Sequence, residues 1–139
     1  MQSFETKTLP AQPDVTAPDG SRVRVLLSLL GGSMAHFELP PGEVSVAVEH
    51  RSVEEVWYVL SGRGEMWRRQ DGREEVVAVG PGMCLTIPLG TRFQFRAFGS
   101  EPLTAVAVTM PPWPGPDEAV RCEGAWSATG GKHCPPPSL

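Results

Sequence analysis

Residues 41–62 read PGEVSVAVEHRSVEEVWYVLSG, and their pattern decides the fold class. Two apolar runs, 44–50 (VSVAVEH) and 56–60 (VWYVL), are short and rich in the β-branched and aromatic residues that suit a pleated surface. Pro40-Pro41-Gly42 precedes the first run and Ser61-Gly62 closes the second, each a turn signal. The two strands are expected to lie side by side, with the loop between them aiming His50 and Glu55 into one cavity. Side chains alternate across a strand, so Trp57 and Val59 share the face of Glu55.

The same pattern extends in both directions. Runs 22–30, 33–39, 64–69, 74–79, 83–87, 92–98 and 103–110 are separated by Gly31-Gly32, Asp71-Gly72, Gly80-Pro81-Gly82, Pro88-Leu89-Gly90 and Gly99. Segment 92–98 alternates with period two, Phe93 and Phe95 against Arg92, Gln94 and Arg96. Nowhere do apolar residues recur with helical spacing over three turns. The 15 glycines and 15 prolines suit short strands and tight turns. The body is therefore read as all-β, a sandwich or barrel.

A chain of 139 residues, 40% of them hydrophobic, holds one domain and fills one core. Residues 1–20, with Pro10, Pro13, Pro18 and the Asp19-Gly20 turn, read as an N-terminal arm, and residues 21–110 as the barrel. Residues 111–139 carry seven prolines and form a proline-rich tail. Because that tail holds Trp113 and Trp126, 111–126 is expected over the barrel or a neighbouring subunit, with 127–139 mobile.

A formal net charge of −4 argues against a nucleic-acid partner. No apolar run approaches the roughly 20 residues of a membrane span. The opening MQSFETKTLP lacks the basic-then-apolar build of a secretory leader, so a cytoplasmic protein is expected. Cys84, Cys122 and Cys134 form no C-x-x-C pair and are expected as reduced thiols, with Cys84 buried as a small hydrophobe. Trp67 is followed by Arg68 and Arg69, which are expected in surface or interface ion pairs.

The stretches 41–62 and 82–97 (GMCLTIPLGTRFQFRA) together resemble the two motifs of the cupin superfamily, in its small single-domain members. The first family motif is G-x5-H-x-H-x3,4-E-x6-G, and Glu55-x6-Gly62 places its second histidine at His50 and its first at Val48. The second motif is G-x5-P-x-G-x2-H-x3-N. Here Gly82-x5-Pro88-x-Gly90 matches in full, while Phe93 stands for the histidine and Ala97 for the asparagine. The resemblance spans roughly residues 33–110 and implies a double-stranded β-helix, a jelly-roll barrel. It also implies that the family's metal set, three histidines and a glutamate, is only half present: His50 and Glu55 remain, while Val48 and Phe93 offer no lone pair.

This reading assigns His50 and Glu55 as a catalytic pair, Glu55 orienting His50 and raising its pKa towards neutrality. Val48, Trp57, Phe93 and Phe95 would line an apolar pocket for a small, largely apolar or aromatic molecule. Three functions stay open. The first is a metal-free, cofactor-free acid/base enzyme of isomerase, dehydratase or cyclase type, and it is favoured. The second is a metal-dependent oxygenase or isomerase with a divalent ion weakly bound by His50 and Glu55. The third is a ligand-binding or sensory protein without catalysis. His36 and Cys84 are the other candidate soft ligands, on strand faces that the sequence does not fix; His133 lies in the tail. A homodimer is expected, with 111–126 or the first strand at its interface.

Overall fold

Eleven strands, all paired antiparallel, build the protein in the computed structural model, which describes residues 2–17 and 19–129. They are β1 (Val15–Thr16), β2 (Arg22–Leu29), β3 (Gly32–Leu39), β4 (Val48–His50), β5 (Glu54–Ser61), β6 (Arg63–Gln70), β7 (Arg73–Val79), β8 (Cys84–Ile87), β9 (Arg92–Phe98), β10 (Leu103–Met110) and β11 (Ala119–Arg121). One sheet has the order β1-β2-β3-β10-β5-β8 and the other β11-β4-β9-β6-β7. Alternation packs their inner faces together. Along β5, Glu55, Trp57 and Val59 are buried while Val56, Tyr58 and Leu60 face out. Among the described residues no helix is long and apolar enough to cross a membrane.

The turns follow the local chemistry. Asp71 and Gly72 both have positive φ, 47° and 80°, as a two-residue hairpin between right-twisted strands requires. Gly62, at φ +82°, passes so close to the carbonyl of Pro102 that a Cβ there would collide with backbone. The terminal glycine of the first motif is thus needed for both conformation and space.

Several expectations are corrected. Strands 44–50 and 56–60 do not lie side by side. β4 and β5 belong to different sheets and face one another across the barrel. The run 44–50 is a regular strand only from Val48, because side chains take over the ladder before it. Ser45 Oγ accepts from the Phe95 N–H at 3.0 Å, and Gln94 Nε2 donates to the Ser45 carbonyl at 2.8 Å. Cys84 is exposed, since it shares the outer face of its sheet with its register partner Tyr58.

Residues 111–129 of the tail are built into the fold. β11 extends the second sheet by pairing with β4, and Cys122 N–H donates to the Ala47 carbonyl at 3.0 Å. Trp126 then crosses the outer face of β9. Its N–H and carbonyl bond the Gln94 amide at 3.0 and 2.8 Å, and its ring lies 4.1 Å from the Arg96 guanidinium carbon. This contact buries Gln94, which alternation alone places on a polar surface. Residues 127–129 are not loose: Thr129 N–H donates to the Val44 carbonyl at 3.0 Å, and Val44 N–H to Thr129 Oγ1 at 2.7 Å. The expected mobility of 130–139, and the positions of His133 and Cys134, lie outside the described residues. The N-terminal arm runs beside β2, where Arg24 donates to the carbonyls of Pro10 and Ala11 at 2.8 and 3.0 Å. Arg68 pairs with Glu75 at 2.8 Å on the neighbouring strand.

Candidate functional site

His50 ends β4 and Glu55 is the second residue of β5, so each sheet delivers one of the pair to the same end of the barrel. His50 Nδ1 lies 3.8 Å from Glu55 Oε1, with side chains 6% and 2% exposed. That separation is too long for a hydrogen bond, and His50 Nδ1 has no other protein partner. The Trp57 indole N–H donates to Glu55 Oε1 at 3.1 Å and fixes the carboxyl.

Aromatic rings enclose the pair. Phe93 of β9 and Trp113 of the tail each meet the His50 ring edge-on at 5.2 Å. Trp57 stacks on Phe37 at 5.3 Å and meets Phe95 edge-on at 5.2 Å. Val48 and Phe93 are direct register partners, so the two positions where the family motifs call for imidazoles form one apolar cross-strand pair. Val48, Trp57, Phe93 and Phe95 are therefore brought together, and they pack on one another as part of the core. The cavities beside Glu49–Arg51 and beside Arg63–Glu65 are not lined by Val48, Trp57, Phe93 or Phe95.

Burial, not pairing, sets the charge states. Desolvation lowers the His50 pKa to about 4, against a smaller opposing pull from Glu118. Desolvation raises Glu55 to about 7, with Asp19 and Glu118 adding to it and the Trp57 hydrogen bond resisting. This reverses the expected electrostatics, in which Glu55 would have raised the His50 pKa. At 3.8 Å, without a hydrogen bond, the attraction does not offset removing both charges from water. The resting pair near pH 5 to 6 is a neutral imidazole facing a carboxylic acid.

Glu118, from the tail, is the functional residue that the sequence reading missed. Its Oε2 accepts from the N–H groups of Ser52 and Val53 at 2.7 and 2.8 Å, and its Oε1 from Ser52 Oγ at 2.6 Å. Burial alone would raise its pKa, but these donors, with His50, bring it below the ordinary value. The carboxylate thus pins the loop that joins His50 to Glu55. Glu118→Ala would leave three donors of that loop without partners. A loss of roughly 3 kcal/mol is expected in urea unfolding, where each orphaned group costs about 1–3 kcal/mol and removal relaxes part of it. A loss under about 0.5 kcal/mol, the size of an ordinary surface change, would show that the loop holds its own shape.

His36 is buried, 6% exposed, but alternates with the core residue Phe37 and so turns away from His50. Its Nδ1 lacks a partner, and burial lowers its pKa. Among the described residues no three His, Cys, Asp or Glu side chains lie close enough together to hold a metal ion. The donor set therefore does not fit the family's metal centre.

The charge states give a stability test. Glu55 is stabilising while protonated, so its contribution is complete below pH 4.5 and lost as pH rises through about 7. His50 has the opposite sign, its contribution present above pH 6.5 and lost as pH falls through about 4. The two slopes oppose each other between those limits in the wild type. Glu55→Gln cannot ionise and should gain up to roughly 3 kcal/mol on the wild type between pH 4.5 and 8.5. Urea unfolding at both pH values measures it, and a difference independent of pH would contradict the raised pKa.

Fold and motifs agree with the comparisons. The chain belongs to the cupin family: residues 35–109 match the cupin domain model. An uncharacterised protein of Methanocaldococcus jannaschii is 30% identical over 118 residues, which are 81% of this chain and 90% of that protein. A recombinant oxalate oxidase in complex with glycolate superposes with a TM-score of 0.68 at 20% identity, over 83% of this chain and 63% of that one. A predicted oxalate decarboxylase of Thermotoga maritima gives 0.61 at 19% identity, over 76% and 99%. At such identities the likeness to these solved structures is one of fold.

Proposed function

We propose that this cupin is an enzyme of metal-free acid/base chemistry, of isomerase, dehydratase or cyclase type, on a small and largely apolar or aromatic molecule. The observation that carries the reading is the unpaired His50 Nδ1 facing a Glu55 carboxyl whose pKa stands near 7. A neutral imidazole accepts a proton from one atom of a substrate, and the carboxylic acid delivers one to another. Between about pH 4 and 7 both groups hold the protonation states that this transfer needs. Trp57 holds the acid in place by its indole N–H, and Glu118 holds the loop between acid and base. Trp113, 42% exposed on its proline-rich segment, lays its ring against His50.

Val48 and Phe93, which have no donor atom, occupy the remaining ligand positions, so the chemistry runs through His50 and Glu55 alone. A rival, a ligand-binding cupin without turnover, draws support from the tight packing of Trp57, Phe93 and Phe95. A turnover screen of small aromatic hydroxy and keto compounds against wild type and Glu55→Gln separates the two. Conversion lost in Glu55→Gln supports the enzyme, and saturable binding with no conversion by the wild type supports the rival. Assembly as a homodimer belongs to the same proposal. A sedimentation mass near 15.0 kDa at micromolar concentration would contradict it.

A further inference from the structure

We propose that the cavity formed by β4, β9 and β11 binds a small oxyanion group, a carboxylate or a phosphate. The cavity measures about 230 Å³, and its wall is formed by Glu49, His50, Arg51, Arg92, Val120, Arg121 and Cys122. Strand register explains the convergence. Val120, Glu49 and Arg92 form one cross-strand row, and Arg51, two residues beyond Glu49, follows β4 directly. The guanidiniums of Arg51 and Arg92 thus stand beside one carboxylate, Glu49, on a chain whose formal net charge is −4. The positive charge is a local feature of this cavity.

Two of the guanidiniums are held by one edge only. Arg51 Nε donates to the Asp117 carbonyl at 2.7 Å, and Arg92 Nε to Glu49 Oε1 at 3.4 Å. Neither residue's Nη groups have a hydrogen-bond partner among the described residues. A guanidinium anchored at Nε with its Nη groups open presents a planar fork that matches the two oxygens of a carboxylate or phosphate. Burial raises the Cys122 pKa and keeps the thiol neutral beside such a ligand. The volume suits a group of a few heavy atoms with some retained water. The cavity borders His50, but the inference rests on Arg51, Arg92 and Glu49 and does not depend on catalysis at Glu55.

Isothermal titration with inorganic phosphate and, separately, with malonate tests it at constant ionic strength. Saturable binding of either probe by the wild type is expected, and the tighter probe identifies the preferred oxyanion. Arg92→Gln should weaken binding by about tenfold or more, as loss of a charge-assisted bond does. Arg22→Gln, which removes one exposed charge elsewhere, should leave it unchanged. Glu49→Gln removes the competing carboxylate and should tighten binding. That variant decides the matter even if Arg92→Gln fails to fold. No saturable binding of either probe, equal weakening by Arg22→Gln, or no tightening in Glu49→Gln would each overturn the proposal.

Discussion

Replacing His50 with glutamine should cut turnover by roughly 10²–10⁴-fold, the share of a rate that a positioned acid/base group supplies. Folding should survive, because His50 closes a three-residue strand and its Nδ1 makes no protein hydrogen bond that glutamine would break. The wild-type pH profile of kcat/KM should be bell-shaped. Its acid limb falls near 4, where His50 takes a proton and stops serving as a base. Its alkaline limb falls near 7, where Glu55 loses the proton it must donate. Glu55→Gln should remove the alkaline limb along with most of the rate. Wild-type activity that climbs through pH 8 would mean that Glu55 is not the acid.

The second large effect is constructive. Val48→His combined with Phe93→His should turn a chain that keeps less than one equivalent of Fe, Mn, Ni or Zn after chelator dialysis into one that keeps a full equivalent. Val48 and Phe93 are register partners, and His50 lies two residues beyond Val48 on the same face of β4. The two new imidazoles would therefore join His50 and Glu55 in one four-donor set. With only two donors an ion stays largely hydrated among Trp57, Phe93 and Phe95, and stripping its water there is costly. The gain in affinity should be on the order of 10³-fold or more, beyond the roughly 10–100-fold that a supporting group contributes to a metal site. A wild-type protein that retains a stoichiometric ion through chelator treatment would contradict the metal-free reading.

The residues that could be read in advance are those whose neighbours are local. The spacing from Glu55 to Gly62 and from Gly82 to Gly90 marks the barrel because turns depend on a few adjacent residues. Strand β9, Arg92–Phe98, and strand β10, Leu103–Met110, fall where alternation puts them. What could not be read depends on contacts distant in sequence. Glu118 sits among prolines with no periodicity, and only the pairing of β11 with β4 carries it to the loop at Ser52. Trp113 reaches His50 across 63 positions for the same reason. The face of His36 is fixed only when β10 supplies the register of its strand. The pKa reversal was hidden because spacing shows that two groups meet but not how dry their meeting place is.

The claim on which the account rests is that Glu55 is a carboxylic acid facing a neutral His50. Carbon-detected NMR titration of the Glu55 carboxyl, assigned by its loss in Glu55→Gln, measures this directly. A midpoint near 7, with the His50 ring neutral until about pH 4, is the predicted result. A Glu55 midpoint near its ordinary 4.5, with His50 protonated at neutral pH, would describe an imidazolium–carboxylate ion pair and contradict it.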